Sequence, residues 1–68
     1  MIQNDVELQT ALERITHFQK QVAQLRRVEG DPVAYRLSAG GFLAEIDRMQ
    51  REVREYFTLH PSEIRAAS

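Results

Sequence analysis

Apolar residues recur every three or four positions along two segments of the chain, with charged and amide side chains between them. This spacing is typical of amphipathic α-helices, whereas apolar residues of a half-buried β-strand alternate. It predicts two helices, at about residues 5–28 and 33–59. The apolar positions of the first are Leu8, Ala11, Ile15, Phe18, Val22 and Leu25, and those of the second are Tyr35, Ala39, Phe42, Ile46, Met49, Val53 and Tyr56.

Residues that favour helix ends flank both segments. Asn4 is a good N-cap, and Glu7 stands three residues later, where its carboxylate can reach back to the N–H of Asn4. The segment "EGDP" then separates the two helices. In it, Gly30 is expected to end the first helix in a left-handed conformation, while Asp31 caps the second helix and Pro32 occupies its first turn.

A connection this short makes neighbouring helices antiparallel. The predicted fold is therefore all-α: an antiparallel two-helix hairpin over residues 1–60, followed by a flexible C-terminal tail at residues 61–68. The side chains predicted to form the core of the hairpin are Leu8, Ile15, Phe18, Val22, Leu25, Tyr35, Phe42, Ile46, Met49, Val53 and Tyr56.

Two adjacent glycines, Gly40 and Gly41, lie inside the second segment. The apolar residues keep the same helical phase on both sides of them, which predicts one continuous helix despite a cost of about 1 kcal/mol per glycine. A break at this point is the alternative. A phosphate-binding or dinucleotide-binding loop would require spaced glycines after a strand, so this pair does not indicate a nucleotide site.

Further apolar residues lie outside the seam between the two helices. Leu12, Leu43 and Phe57 share one flank of the hairpin, and two helices have only one mutual seam, so a second copy is expected to cover this flank and form a four-helix bundle. Gly40 would let another helix approach closely. The residues predicted to form the self-association interface are Leu12, Leu37, Gly40, Leu43, Ala44 and Phe57.

Composition favours such an assembly. A chain of 68 residues rarely gains more than about 3–5 kcal/mol from its own core. The absence of cysteine excludes disulfides and thiolate metal sites, and the net charge of −1 gives no general attraction to nucleic acid or to an anionic membrane. No apolar run is long enough for a membrane-spanning helix or a signal peptide. These features predict a cytoplasmic homo-oligomer, most simply a dimer.

Residues for chemistry are sparse. His17 is predicted on the outward face of the first helix and His60 at the far end of the second, too far apart to cooperate. The Glu-x-x-His motif of bundle metal sites is missing, and the seam contains no charged residue. We therefore expect no catalytic residue, metal or cofactor, and no enzyme activity. Arg26, Arg27 and Arg36 cluster near the tip, but nucleic acid is not the expected partner.

The stretches "MIQNDVELQTALERI" and "GFLAEIDRMQREVREYFTLHP" resemble a group of short bacterial helical-hairpin proteins of unassigned function. More loosely, they are similar to the helical segment that precedes the DNA-binding domain in Xre/HigA-type antitoxins, although no helix-turn-helix motif follows here. That resemblance implies oligomerisation or contact with a toxin. The leading hypothesis is a non-enzymatic oligomerisation and protein-interaction module. The alternative is an antitoxin-like regulatory partner of a small toxin in a bacterial toxin–antitoxin system.

Overall fold

A computed structural model describes residues 1–63, which form an antiparallel helical hairpin. The first helix, α1, spans Asp5–Val28, and the second, α2, spans Pro32–Phe57. They pack lengthwise in a body of 51 × 16 × 14 Å. The predicted all-α hairpin is confirmed. Below, the connection between the helices is called the tip, and the opposite end, where residues 1–4 and 58–63 lie, is called the open end.

Helix α1 begins at the predicted cap. Asn4 has an extended backbone, with φ −156° and ψ 172°, and its Oδ1 accepts a 2.8 Å hydrogen bond from the N–H of Glu7. The carboxylate of Glu7 accepts a 3.0 Å bond from the N–H of Gln3, and not from that of Asn4 as predicted. The extended conformation of Asn4 brings the preceding N–H within reach, so the reciprocal bond forms one residue earlier.

The end of α1 differs from the prediction. The last capping N–H is that of Glu29, which donates to the carbonyl of Leu25 at 2.9 Å, and Glu29 itself is extended with φ −93° and ψ 114°. Gly30 does not adopt a positive φ, so the predicted left-handed cap is wrong. Because Glu29 already leaves the helix in an extended conformation, the turn requires no left-handed residue.

Helix α2 starts as predicted. Asp31 caps it, with its carboxylate oxygens accepting from the N–H groups of Val33 and Ala34 at 3.3 and 3.4 Å. Pro32 is the first helical residue. At this position its fixed φ suits the helix, and its missing N–H removes no intrahelical hydrogen bond.

The glycine pair does not interrupt α2. The helix is continuous through Gly40 and Gly41, and neither glycine has a positive φ. A Cβ added at either position would meet no atom within 4 Å. Packing within the hairpin therefore does not require a glycine at either site.

The core forms along the predicted seam, and all eleven predicted core side chains are buried or half-buried. Ile15, Ile46, Met49 and Val53 are 2–8% exposed and pack together. These buried residues lie in the half of the hairpin towards the open end. Ala39, which is 0% exposed, is a buried residue of the half towards the tip.

Ile2 is part of the same core, although the helical pattern did not include it. Its side chain is only 8% exposed and belongs to the cluster formed by Ile15, Ile46, Met49 and Val53. The extended segment before α1 thus covers the open end of the hairpin.

Helix α2 ends at Phe57, two residues before the predicted end, and the N–H of Thr58 closes its last turn on the carbonyl of Arg54 at 3.1 Å. Residues 61–63 form a further helical turn, in which the N–H of Glu63 donates to the carbonyl of His60 at 2.9 Å. Residues 64–68 of the predicted tail lie outside the described part of the chain. Within residues 1–63, neither helix combines the length and apolar character required to cross a membrane.

Candidate interaction surface

A row of apolar side chains is exposed along one flank of the hairpin. Leu12 of α1 is 38% exposed, Leu43 of α2 is 46% exposed and Phe57 at the end of α2 is 66% exposed. Each of these side chains comes one residue after one seam position of its helix and four residues after another, which places it at the edge of the seam. We call Leu12, Leu43 and Phe57 the lateral stripe.

A second apolar surface lies on the outward side of α2 near the tip. Leu37 is 78% exposed there, and Gly40 and Ala44 are also exposed. Val33, which the sequence analysis did not single out, stands one turn before Leu37 and is 61% exposed. The spacing of four residues places Val33 and Leu37 on the same face of the helix, and this feature of the sequence could have identified Val33. We call these four residues the outer patch.

The six predicted interface residues therefore occupy two adjoining faces. Leu37 and Leu43 are six residues apart, which separates their directions by about 120° around an α-helix. One flat partner surface cannot cover both side chains fully. A partner on the lateral stripe would meet the outer patch only at its near edge, where Gly40 lies.

Charged residues frame the lateral stripe. Asp5 lies on the same face of α1 as Leu12, one heptad before it, at the open end. At the tip, Arg26 holds the equivalent position in α1 and Arg36 in α2, and all three are exposed. The stripe thus has an acidic residue at one end and basic residues at the other.

Most of the remaining charges stay unpaired within the hairpin. Among residues 1–63, the ion pairs are those of Arg48 with Glu45 at 2.7 Å and with Glu52 at 3.1 Å. The hydrogen bond and charge of Arg48 lower the pKa of the Glu45 carboxyl, and the same contacts with Glu45 raise the pKa of Arg48. These pairs follow one exposed face of α2, where such contacts contribute little to stability.

The open end carries one polar contact between the helices. The hydroxyl of Tyr56 donates a 2.7 Å hydrogen bond to Oδ1 of Asp5, which raises the pKa of that hydroxyl, with desolvation adding to the effect. A groove of about 230 Å³ adjoins this contact. Its lining is Met1, Ile2, Glu52, Glu55, Tyr56, Thr58 and Leu59.

The two histidines lie in different parts of the hairpin. His17 is exposed in the middle of α1, with its Nε2 3.4 Å from Nε2 of Gln21. His60 lies beyond α2, and its Nδ1 is 2.8 Å from the hydroxyl of Ser62. Within residues 1–63, no group of three His, Cys, Asp or Glu side chains is placed to hold a metal ion.

The basic residues at the tip, Arg26, Arg27 and Arg36, are all exposed. A shallow depression lined by Asp47, Gln50, Arg51 and Arg54 lies on one face of α2. It mixes acidic and basic groups on a single helix, so it offers no uniform charge to a phosphate or a carboxylate.

The chain matches no protein-family model, no curated protein and no solved structure. The resemblance to the helical segment of Xre/HigA-type antitoxins stays a prediction.

Proposed function

We propose that this protein is a non-enzymatic, cytoplasmic interaction module whose hairpins associate through the lateral stripe. The association is a dimer in which two hairpins form a four-helix bundle. Its partner surfaces are proteins and not nucleic acid, because a net charge of −1 provides no general attraction to a phosphate backbone.

The observation that carries this proposal is the exposure of Leu12, Leu43 and Phe57 along one flank, at 38%, 46% and 66%. Single exposed apolar residues are ordinary, but a row of them beside the core seam is typical of an interaction surface. A second pair of helices placed there would continue the seam packing of the hairpin, as in other four-helix bundles.

The small core supports the same proposal. Among residues 1–63, the buried cluster consists of Ile2, Ile15, Ile46, Met49 and Val53, and the sequence contains no cysteine for a disulfide. Small domains without such cross-links commonly gain stability by oligomerisation. Burial of the lateral stripe between two chains would add apolar area that one hairpin cannot bury.

The test is the dependence of the thermal unfolding midpoint on protein concentration, which appears when folding is coupled to association. The wild type is compared with a double variant, Leu43→Glu with Phe57→Glu, and with Val6→Glu. Val6 is a matched control because it is 76% exposed and lies on the outer face of α1, about 120° around the helix from Leu12.

We expect the midpoint to rise with concentration for the wild type and for Val6→Glu, and to lose this dependence in the double variant. A wild-type midpoint independent of concentration would contradict the proposal. Equal concentration dependence in all three chains would assign association to another surface.

A further inference from the structure

We propose that the occupant of the lateral stripe is a second copy of this chain in antiparallel orientation, with the tip of each hairpin beside the open end of the other. This inference rests on the proposed function and specifies its geometry. It follows from the length of the hairpin and from the order of charges along it.

Length requires the two hairpins to overlap almost completely. A specific interface covers about 800 Å² on each partner. A face of the hairpin measuring 51 × 16 Å has an area of that order, so contact at the tip alone would be far too small. Two copies must therefore lie side by side, either parallel or antiparallel.

The order of residues along the flank distinguishes these orientations. From the open end to the tip, α1 presents Asp5, Leu12, Gln19 and Arg26, and from the tip to the open end, α2 presents Arg36, Leu43, Gln50 and Phe57. The hydrogen bond between Tyr56 and Asp5 fixes Asp5 beside the end of α2 that carries Phe57.

A parallel dimer would bring like charges together. Arg26 and Arg36 of one chain would lie beside the same two arginines of the other, and both Asp5 side chains would lie together at the opposite end of the dimer. In the antiparallel dimer, Arg26 of each chain lies beside Asp5 of its partner. Opposite charges at the ends of an interface favour this register, and juxtaposed like charges disfavour the other.

The apolar residues fit the same register. With a two-fold axis midway between Leu12 and Gln19, the end of the stripe formed by Phe57 faces the part of the partner that carries Leu43. Gln19 then lies beside Leu12 of the other chain, and Gln50 lies close to the two-fold axis, beside its own copy. Leu12, Leu43 and Phe57 are thus each covered by the partner chain.

The whole hairpin has the same polarity as the flank. Residues 17–44, the half towards the tip, contain four basic side chains and two acidic ones. The remaining described residues, 1–16 and 45–63, contain four basic side chains and eight acidic ones. Antiparallel overlap therefore sets the positive half of one chain against the negative half of the other.

The experiment uses pulsed electron–electron double resonance on the full chain, with a nitroxide attached to one introduced cysteine. The labelling is unambiguous because the sequence has no cysteine of its own. Gly30→Cys labels the tip, where an added Cβ meets no atom within 4 Å. Thr16→Cys labels the exposed middle of α1, close to the proposed two-fold axis. Size-exclusion profiles of both labelled chains are compared with the wild type.

We expect a distance of about 45 Å between the two tip labels, from a rise of 1.5 Å per residue, and a shorter distance between the two middle labels. Short distances at both sites would mean a parallel dimer, which overturns the orientation and leaves self-association standing. If neither labelled chain shows dipolar coupling, and the unlabelled wild type is also monomeric at the same concentration, the orientation and the proposed function are overturned together. The stripe would then be a binding surface for a different protein.

Discussion

The hydroxyl of Tyr56 donates a 2.7 Å hydrogen bond to the carboxylate of Asp5. This contact joins the last turn of α2 to the first turn of α1, and it spans 51 positions of sequence. Asp5 also lies at the N-terminus of α1, where negative charge interacts favourably with the helix dipole. One carboxylate therefore supports both the start of α1 and the closure of the open end.

The Tyr56–Asp5 bond predicts a loss of stability at alkaline pH. The contact raises the pKa of Tyr56 above its ordinary value, which is about 10 in an unfolded chain. Its stabilising effect is thus fully present below about pH 10 and is lost as the pH rises through the raised pKa of the folded state. Chemical denaturation should show wild type more stable than Tyr56→Phe near pH 7, with a difference that shrinks above pH 10. A difference that is constant with pH would contradict this assignment.

Met49 lies at the centre of the core and is 2% exposed. Met49→Ala should lower the free energy of unfolding by about 2–5 kcal/mol, through lost apolar contact and a residual cavity. Circular dichroism should show a large loss of helix at room temperature, because this cost is comparable with the whole stability of so small a domain. The control Val6→Ala, at a position 76% exposed, should change stability by less than about 0.5 kcal/mol. A folded Met49→Ala chain of near wild-type stability would place the core elsewhere.

Ile2 should behave as a core residue despite its place before the first helix. Ile2→Ala is expected to lower the free energy of unfolding by about 2 kcal/mol, since the side chain is 8% exposed and belongs to the buried cluster of the hairpin. Gln3→Ala is the matched control, because Gln3 is exposed and contributes a backbone N–H that alanine retains. Urea titration of both variants measures the difference, and equal effects would show that Ile2 does not close the open end.

The adjacent glycines allow a test in which the same substitution is made on two sides of one helix. Gly40→Leu and Gly41→Leu should raise helix content alike, because neither glycine is required by the backbone or by packing within the chain. Only Gly40→Leu, next to the lateral stripe, should weaken association, by about tenfold or more through overpacking. Dissociation constants from sedimentation velocity provide the comparison. Equal weakening by both leucines would mean that the backbone of α2, and not close approach of a partner, decides association.

Much of the fold follows from local rules that operate within one helix. The 3.6-residue period indicated eleven side chains that are buried or half-buried in the structure, and unchanged phase across Gly40 and Gly41 correctly predicted a continuous α2. The caps at Asn4 and Asp31 were also predictable, because each depends on a side chain and N–H groups two or three residues away.

The predictions that differ from the structure concern non-helical backbone. Ile2 lies before the cap, where the chain is extended and helical periodicity no longer indicates which side chains face the core. The extended conformation of Glu29 made a left-handed conformation at Gly30 unnecessary. The conformation of Gly30 therefore depends on that of the preceding residue. The bond from Gln3 to Glu7 likewise depended on the backbone at Asn4.

The candidate surface was predictable in part. Exposure of Leu12, Leu43 and Phe57 could be inferred from their place beside the seam. The division of the six predicted residues between two faces was also predictable, because it follows from the geometry of one helix. Leu37 and Leu43 are six residues apart and point in directions about 120° apart.

The most direct test of the account is the molar mass of the unaltered chain by sedimentation equilibrium over a wide concentration range. One chain has a mass of 7.9 kDa. If two hairpins associate through the lateral stripe, the mass rises with concentration and levels off at twice that value. A mass that stays at 7.9 kDa at every concentration would contradict this association.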